Sequence, residues 1–184
     1  MLNNTKAINN KVQIRWMILK DMPSVLGIEN RCFEFPWSKD DFVKCLKQLN
    51  CVGMVAEIDG QVAGFMLYEL HKNRLHLPTI AVDPAYRKRG VFTAMINKLK
   101  GKLSVEKRNR IMIEVRETNL AAQLAFKALG FRAISVLRNF YDDTDEDAYL
   151  FSYRYAPTAE EAAENDYDKP YTEGLEDHAG GEPR

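Results

Sequence analysis

Cysteine is sparse in this chain. Cys32, Cys45 and Cys51 are the only three in 184 residues, and no two form a CxxC pair. An odd set without pattern excludes a disulfide framework and a thiolate zinc site, and it fits a reducing compartment. The histidines His71, His76 and His178 show no ligand spacing either, so no metal site is expected. Apolar runs of membrane-spanning length are missing, and the first five residues lack the apolar segment of a signal peptide. The chain therefore reads as cytoplasmic, with no membrane partner.

Net charge is missing as well, because 26 Lys and Arg offset 26 Asp and Glu. The cancellation hides a split. Residues 156–184 hold nine acidic and two basic residues with almost no aliphatic bulk, which predicts an acidic, disordered tail. Residues 1–11 are polar and are expected to be flexible. The remainder, residues 12–155, is long enough for one domain with a sizeable core, and it carries an excess of positive charge. That excess suits a polyanionic ligand. The basic run Lys98–Arg110 has no interleaved aromatic residues to stack on bases, so it reads as a charged outer face. No direct nucleic-acid partner is expected.

Periodicity gives the elements. Val12–Met17 alternates and predicts a strand. A helix follows through Cys32, with Asp21 as candidate N-cap and Pro23 in its first turn. Ser38 is placed to cap a second helix, Lys39–Leu49, whose Phe42, Val43, Leu46 and Leu49 make one apolar stripe. Val52–Ile58 and Val62–Glu69 flank Asp59-Gly60, a hairpin signal. Leu75–Val82 predicts a strand, Thr93–Leu103 a helix, Arg110–Val115 a strand, and Asn119–Leu129 a helix stopped by Gly130. Phe131–Phe140 and Ala148–Tyr155 predict closing strands around a solvated acidic loop, Asp142–Asp147. The order β-α-α-β-β-β-α-β-α-β-β implies a mixed α/β fold, a central mixed sheet with helices on both faces. A Rossmann unit would alternate strand and helix from its start.

The stretch Thr79–Thr93 organises the rest. It runs from an apolar strand through Asp83-Pro84 and the basic turn Arg87-Lys88-Arg89 to Gly90, where an amphipathic helix begins. The first N–H groups of a helix lack internal partners, and the helix dipole adds partial positive charge there. Three cations beside such an end make a site suited to phosphate or pyrophosphate.

Arg87-Lys88-Arg89-Gly90-Val91-Phe92 resembles the acyl-CoA-binding motif of the GCN5-related N-acetyltransferases (GNAT), Arg/Gln-x-x-Gly-x-Gly/Ala, with a mismatch at Phe92. Other blocks resemble the RimI-like N-terminal acetyltransferases of that superfamily: Ile28-Glu29 with Phe33 and Pro36-Trp37-Ser38, then Ile113-Glu114-Val115-Arg116 with Asn119 and Leu129-Gly130-Phe131, and finally Arg138-Asn139-Phe140-Tyr141 with Glu146-Asp147-Ala148. The resemblance implies the acetyltransferase fold, in which two adjacent parallel strands splay apart to admit the pantetheine arm. Here those would be Leu75–Val82 and Arg110–Val115. It implies acetyl-CoA as co-substrate. Backbone groups of Ile80, Ala81 and Val82 would hold the pantetheine, and Arg87, Lys88, Arg89, Gly90, Val91, Phe92 and Thr93 would hold the pyrophosphate. Asn119 resembles a cofactor contact, and it reads equally well as a helix N-cap.

By the same resemblance Glu114 is the general base. The alternative is a strand-end carboxylate paired with Arg116 or Arg138. The acceptor implied is a protein α-amino group, in the best-known members the N-terminal alanine of a small-subunit ribosomal protein. A small amine or lysine acceptor, or a weakly catalytic acyl-CoA-binding protein, are the alternatives. Two departures stand out. Phe126 occupies the place of the family's tyrosine general acid, which leaves a water or a neighbouring hydroxyl, Tyr141 for instance, as the substitute. Phe92 stands where a small residue would let backbone approach the phosphates, unless its ring turns into the core.

Overall fold

The computed structural model describes residues 11–157. The expectations for a flexible start and an acidic tail therefore fall, but for residues 11, 156 and 157, outside the described residues. Seven strands and four helices follow the expected order: β1 (Gln13–Trp16), α1 (Met22–Cys32), α2 (Lys39–Leu46), β2 (Cys51–Ile58), β3 (Gln61–Leu70), β4 (Leu75–Val82), α3 (Val91–Lys100), β5 (Arg110–Arg116), α4 (Leu120–Ala128), β6 (Arg132–Tyr141) and β7 (Glu146–Arg154). They build one sheet of order β1-β2-β3-β4-β5-β7-β6, in which β4 and β5 run parallel and every other pair is antiparallel.

Local signals explain most boundaries. Asp59 and Gly60 both take positive φ, 51° and 76°, the conformation that a two-residue hairpin between β2 and β3 requires. Ser38 caps α2 by accepting from Asp41 N–H at 3.3 Å, and Asp41 returns the bond to Ser38 N–H at 3.0 Å. The helix then ends at Leu46, so Leu49 leaves the expected stripe and is exposed. Asp21 also departs from expectation. Its carboxylate turns back to Ile18 N–H at 2.8 Å and to Arg15, and it makes no cap bond to α1.

The sheet buries both faces. Phe65 and Leu67 of β3 join Val55, Met22, Val25, Ile28 and Phe42 under α1 and α2. Met66 and Tyr68, one residue out of phase, join Met54, Val91, Met95, Ile96, Leu99 and Phe126 under α3 and α4. Each such side chain contributes ~1.5–3 kcal/mol on leaving water. No helix among the described residues is long and apolar enough to cross a membrane.

Candidate active site

Strands β4 and β5 start together and part. Their pairing is confined to Leu75 with Ile111 and His76 with Met112. Pro78, two residues on, has no N–H to offer a ladder, so the zipper stops where the sequence places it. An irregularity adds to this. Leu67 pairs with Thr79 but Glu69 pairs with His76, so Tyr68 faces two residues of β4. Such a bulge bends the strand and re-aims its side chains. From Pro78 to Val82 the β4 edge towards β5 is unpaired, which is the expected splay.

A cavity of about 570 Å³ opens at this gap, and Glu29, Thr79, Ile80, Glu114, Asn119 and Tyr141 are among its walls. The buried Thr79 hydroxyl has no protein partner there. An open strand edge and an orphaned hydroxyl fit an amide-rich arm such as pantetheine. Among the expected cofactor residues, Ile80 and Asn119 line this cavity. Ala81, Val82 and residues 87–93 are not on its wall and belong to the end of β4, the turn before α3 and the first turn of α3.

Glu114 stands half-buried on β5 with its Oε2 at 2.7 Å from His76 Nε2. Neither alternative arginine is its partner. Arg116 pairs with Asp143 at 2.7 Å and Glu146 at 2.9 Å, and Arg138 pairs with Asp147. The acidic segment is thus more than a solvated loop, since Glu146 and Asp147 open β7 and the latter is buried. Burial pushes the Glu114 carboxyl up, but the hydrogen bond and charge of His76 outweigh it and hold the group below its ordinary range. The same bond raises His76, against burial, with help from Glu69. Glu69 Oε2 lies 3.1 Å from His76 Nδ1 and 3.1 Å from His71 Nε2. Histidine spacing along the chain gives no sign of this grouping, which the β3–β4 hairpin creates.

The expected anion-binding end falls at the turn into α3. Gly90 takes φ 78°, which a side chain would strain, and the first α-helical bond of α3 runs from Ala94 N–H to Gly90 at 2.9 Å. The amides of Val91, Phe92 and Thr93 precede it. The Phe92 ring packs edge-on against Phe126 at 5.1 Å between centroids, so it faces the core and leaves the helix start to its backbone. Arg87 turns back, donating from Nε to Val82 O at 3.4 Å, and Arg89 lies over the Tyr86 ring.

Asn119 does cap α4, accepting from Ala122 N–H at 3.1 Å, while it also lines the cavity. Phe126 is buried among Phe92, Phe131 and Phe151. Tyr141 reaches the site instead, donating from its hydroxyl to the Glu114 carbonyl at 3.4 Å. Burial pushes that phenol up to about 12, so it stays protonated at neutral pH.

One residue of the site was not singled out from the sequence as chemical. Glu29 is 1% exposed, accepts from Trp37 N–H at 3.0 Å through Oε1, and leaves its buried Oε2 without a partner. Burial raises its carboxyl to about 7. The signal was a lone acid four residues after Val25, on the apolar face of α1.

The sequence matches the acetyltransferase (GNAT) family over residues 22–131. The [ribosomal protein bS18]-alanine N-acetyltransferase of Escherichia coli strain K12 is 31% identical over 134 residues, 72% of this chain and 90% of that one. An N-alpha-acetyltransferase of Sulfurisphaera tokodaii is 32% identical over 153 residues, covering 76% and 91%. The crystal structure of the ribosomal-protein-S18-alanine N-acetyltransferase from Escherichia coli superposes with a TM-score of 0.71 at 28% identity, covering 82% of this chain and 97% of that one.

Proposed function

The chain belongs to the acetyltransferase (GNAT) family, and from that premise we propose that it moves the acetyl group of acetyl-CoA to the α-amino group of a protein N-terminus. Glu114, held by His76 at the mouth of the β4–β5 splay, is the observation that carries this reading. The protein is an N-acetyltransferase by family, and its domain is assigned to residues 12–155. Acetyl-CoA supplies the thioester as acyl donor.

The unpaired edge at Ile80, Ala81 and Val82 would orient the arm, and the turn into α3 with its first residues, Lys88 to Thr93, would take the pyrophosphate, with Arg87 and Arg89 adding charge. An α-amino group has a pKa of ~8, so it need lose only one proton to become nucleophilic. Glu114 is the acceptor of that proton, directly or through a water. His76 keeps the carboxylate ionised, and their hydrogen bond would give way as Glu114 turns to the amine. Asn119 holds the entrance of α4 against the same cavity. Tyr141, with Phe126 unable to donate, is the hydroxyl that can hand a proton to the departing thiolate. A thiol pKa of ~8.5 makes that help modest in size.

By their names, one of the relatives compared is an N-alpha-acetyltransferase and another acts on alanine of ribosomal protein bS18. Incubation with acetyl-CoA and a panel of peptides, polyamines and free amino acids tests the reading. Acetylation of peptide α-amines that vanishes in Glu114→Gln is the expected result. Turnover of polyamines or lysine side chains alone would overturn the acceptor. Binding of CoA with no turnover would overturn the enzymatic reading.

A further inference from the structure

We propose that Glu69, His71 and His76 form a site for a borderline divalent cation, Zn²⁺ being the natural candidate, and that the bound ion restrains Glu114. The second half rests on Glu114 being the base; the first does not.

The three donors come from one hairpin. Glu69 is the last residue but one of β3, His76 the second of β4 and opposite it in register, and His71 stands in the connection. That connection is fixed by its own bonds. His71 N–H donates to Arg74 O at 3.0 Å, and Arg108 Nε donates to His71 O at 2.7 Å. Glu69 Oε2, His71 Nε2 and His76 Nδ1 lie within 4.8 Å of one another, and the carboxylate oxygen is 3.1 Å from each nitrogen. Zinc bonds to imidazole and carboxylate run ~2.0–2.2 Å, which in a tetrahedron separates neighbouring donor atoms by ~3.3 Å. Two of the three separations are thus already near that value, and the two ring nitrogens, within 4.8 Å of each other, would draw together around an ion.

Two imidazoles and one carboxylate with a position left for water suit Zn²⁺ better than Mg²⁺ or Ca²⁺, which prefer oxygen. All three groups are partly exposed, so an ion has a path in. A further feature is independent of the cluster. A metal-bound histidine commonly donates its other N–H to a carboxylate, which fixes the ring. His76 meets that pattern, with Nε2 at 2.7 Å from Glu114 Oε2. An ion on Nδ1 commits the proton to Nε2 and pins Glu114 as its acceptor. The carboxylate then loses the freedom to swing towards an incoming amine, and acetyl transfer slows.

Isothermal titration of the chelator-treated full chain with Zn²⁺, and visible absorption with Co²⁺ in its place, test the site. One ion per chain is expected, bound about tenfold or more weaker in Glu69→Gln and in His71→Ala, and unchanged in Cys32→Ser and His178→Ala. Absence of binding, or binding that survives both ligand substitutions, overturns the site. In the acetylation assay Zn²⁺ should slow the wild type and spare His71→Ala. That variant should keep the basal rate, because His71 touches neither Glu114 nor the cavity. No inhibition of the wild type, or equal inhibition of both, overturns the coupling. Heat and spectrum read the ion without acetyl transfer, so failure of the site and failure of the enzymatic reading are told apart.

Discussion

His76 Nε2 lies 2.7 Å from Glu114 Oε2, and the bond joins two strands at the point where their backbones separate. His76 is the last β4 residue in register with β5, and Glu114 is two residues beyond its partner Met112. The side chains thus continue a contact that the main chains have given up. This places a positioned carboxylate beside the gap that would admit the donor.

Glu114→Gln keeps the size and a hydrogen-bond acceptor while removing the base. Its kcat is expected to fall by roughly 10²–10⁴. Affinity for CoA, read by calorimetry, should remain within about threefold, because the residues proposed to hold the cofactor lie elsewhere, on β4, in the turn into α3 and its first residues, and at Asn119. A variant with near-normal kcat would show that another group takes the proton.

The pH profile follows from the same pair. Burial alone would raise the Glu114 carboxyl, and His76 holds it down. In His76→Ala the burial remains and the restraint is gone, so the carboxyl should titrate at higher pH than in the wild type. The acid limb of kcat/KM should therefore move upward in pH. A limb that stays in place would detach His76 from the base.

Much of this was legible in the sequence, and the rest shows where legibility ends. Gly90, Gly130, Ser38 and Asp59-Gly60 act through their own backbone or the next few residues, so the ends they set could be read directly. The basic turn Arg87-Lys88-Arg89 before Gly90 is equally local. The partner of Glu114 is 38 residues away and depends on the β4–β5 register and the bulge at Tyr68, which no local rule fixes. Arg116 and Arg138, closer in sequence, were the natural partners until the β6–β7 hairpin supplied them with Asp143, Glu146 and Asp147. Glu29 was visible as an acid on an apolar helix face, yet its burial and its bond from Trp37 N–H, eight residues on, depend on tertiary packing.

Glu29 makes stability fall as pH rises. Its carboxyl is raised by burial to about 7 from 4.5, so the folded state binds more protons than the unfolded chain between those values. The stability cost is absent below the unfolded value, grows through the interval and is complete above pH 7. At ~1.4 kcal/mol per unit it is bounded by about 3.5 kcal/mol. Glu29→Gln, neutral at every pH, should raise Tm at pH 8 relative to wild type and leave it nearly unchanged at pH 5. An equal effect at both would assign the change to packing.

Phe92→Ala restores the small residue of the family motif. Since the ring packs on Phe126, the substitution opens a gap in the core rather than clearing the phosphate site. Stability measured in denaturant should drop by about 2 kcal/mol, below the ~3–5 kcal/mol of a fully buried phenylalanine. CoA affinity should not improve. A tenfold gain would mean that the ring obstructs the site.

Tyr141 and Phe126 offer the last comparison. Tyr141→Phe removes a hydroxyl within 3.4 Å of the Glu114 carbonyl while leaving the ring over which Arg116 sits at 3.8 Å. If that hydroxyl feeds the leaving thiolate, kcat should fall by at least ~10-fold, towards the lower end of general-acid effects. The loss should shrink with substrates carrying a more acidic thiol, because a better leaving group needs less help. Phe126→Tyr cannot repair it simply. Its ring is 1% exposed and enclosed by phenylalanines, so a hydroxyl there that stays buried without a partner costs ~1–3 kcal/mol. The double variant Tyr141→Phe, Phe126→Tyr separates the two outcomes: recovered kcat means that the new hydroxyl reaches the cavity that Phe126 lines, and lost stability without recovery means that it stays in the core.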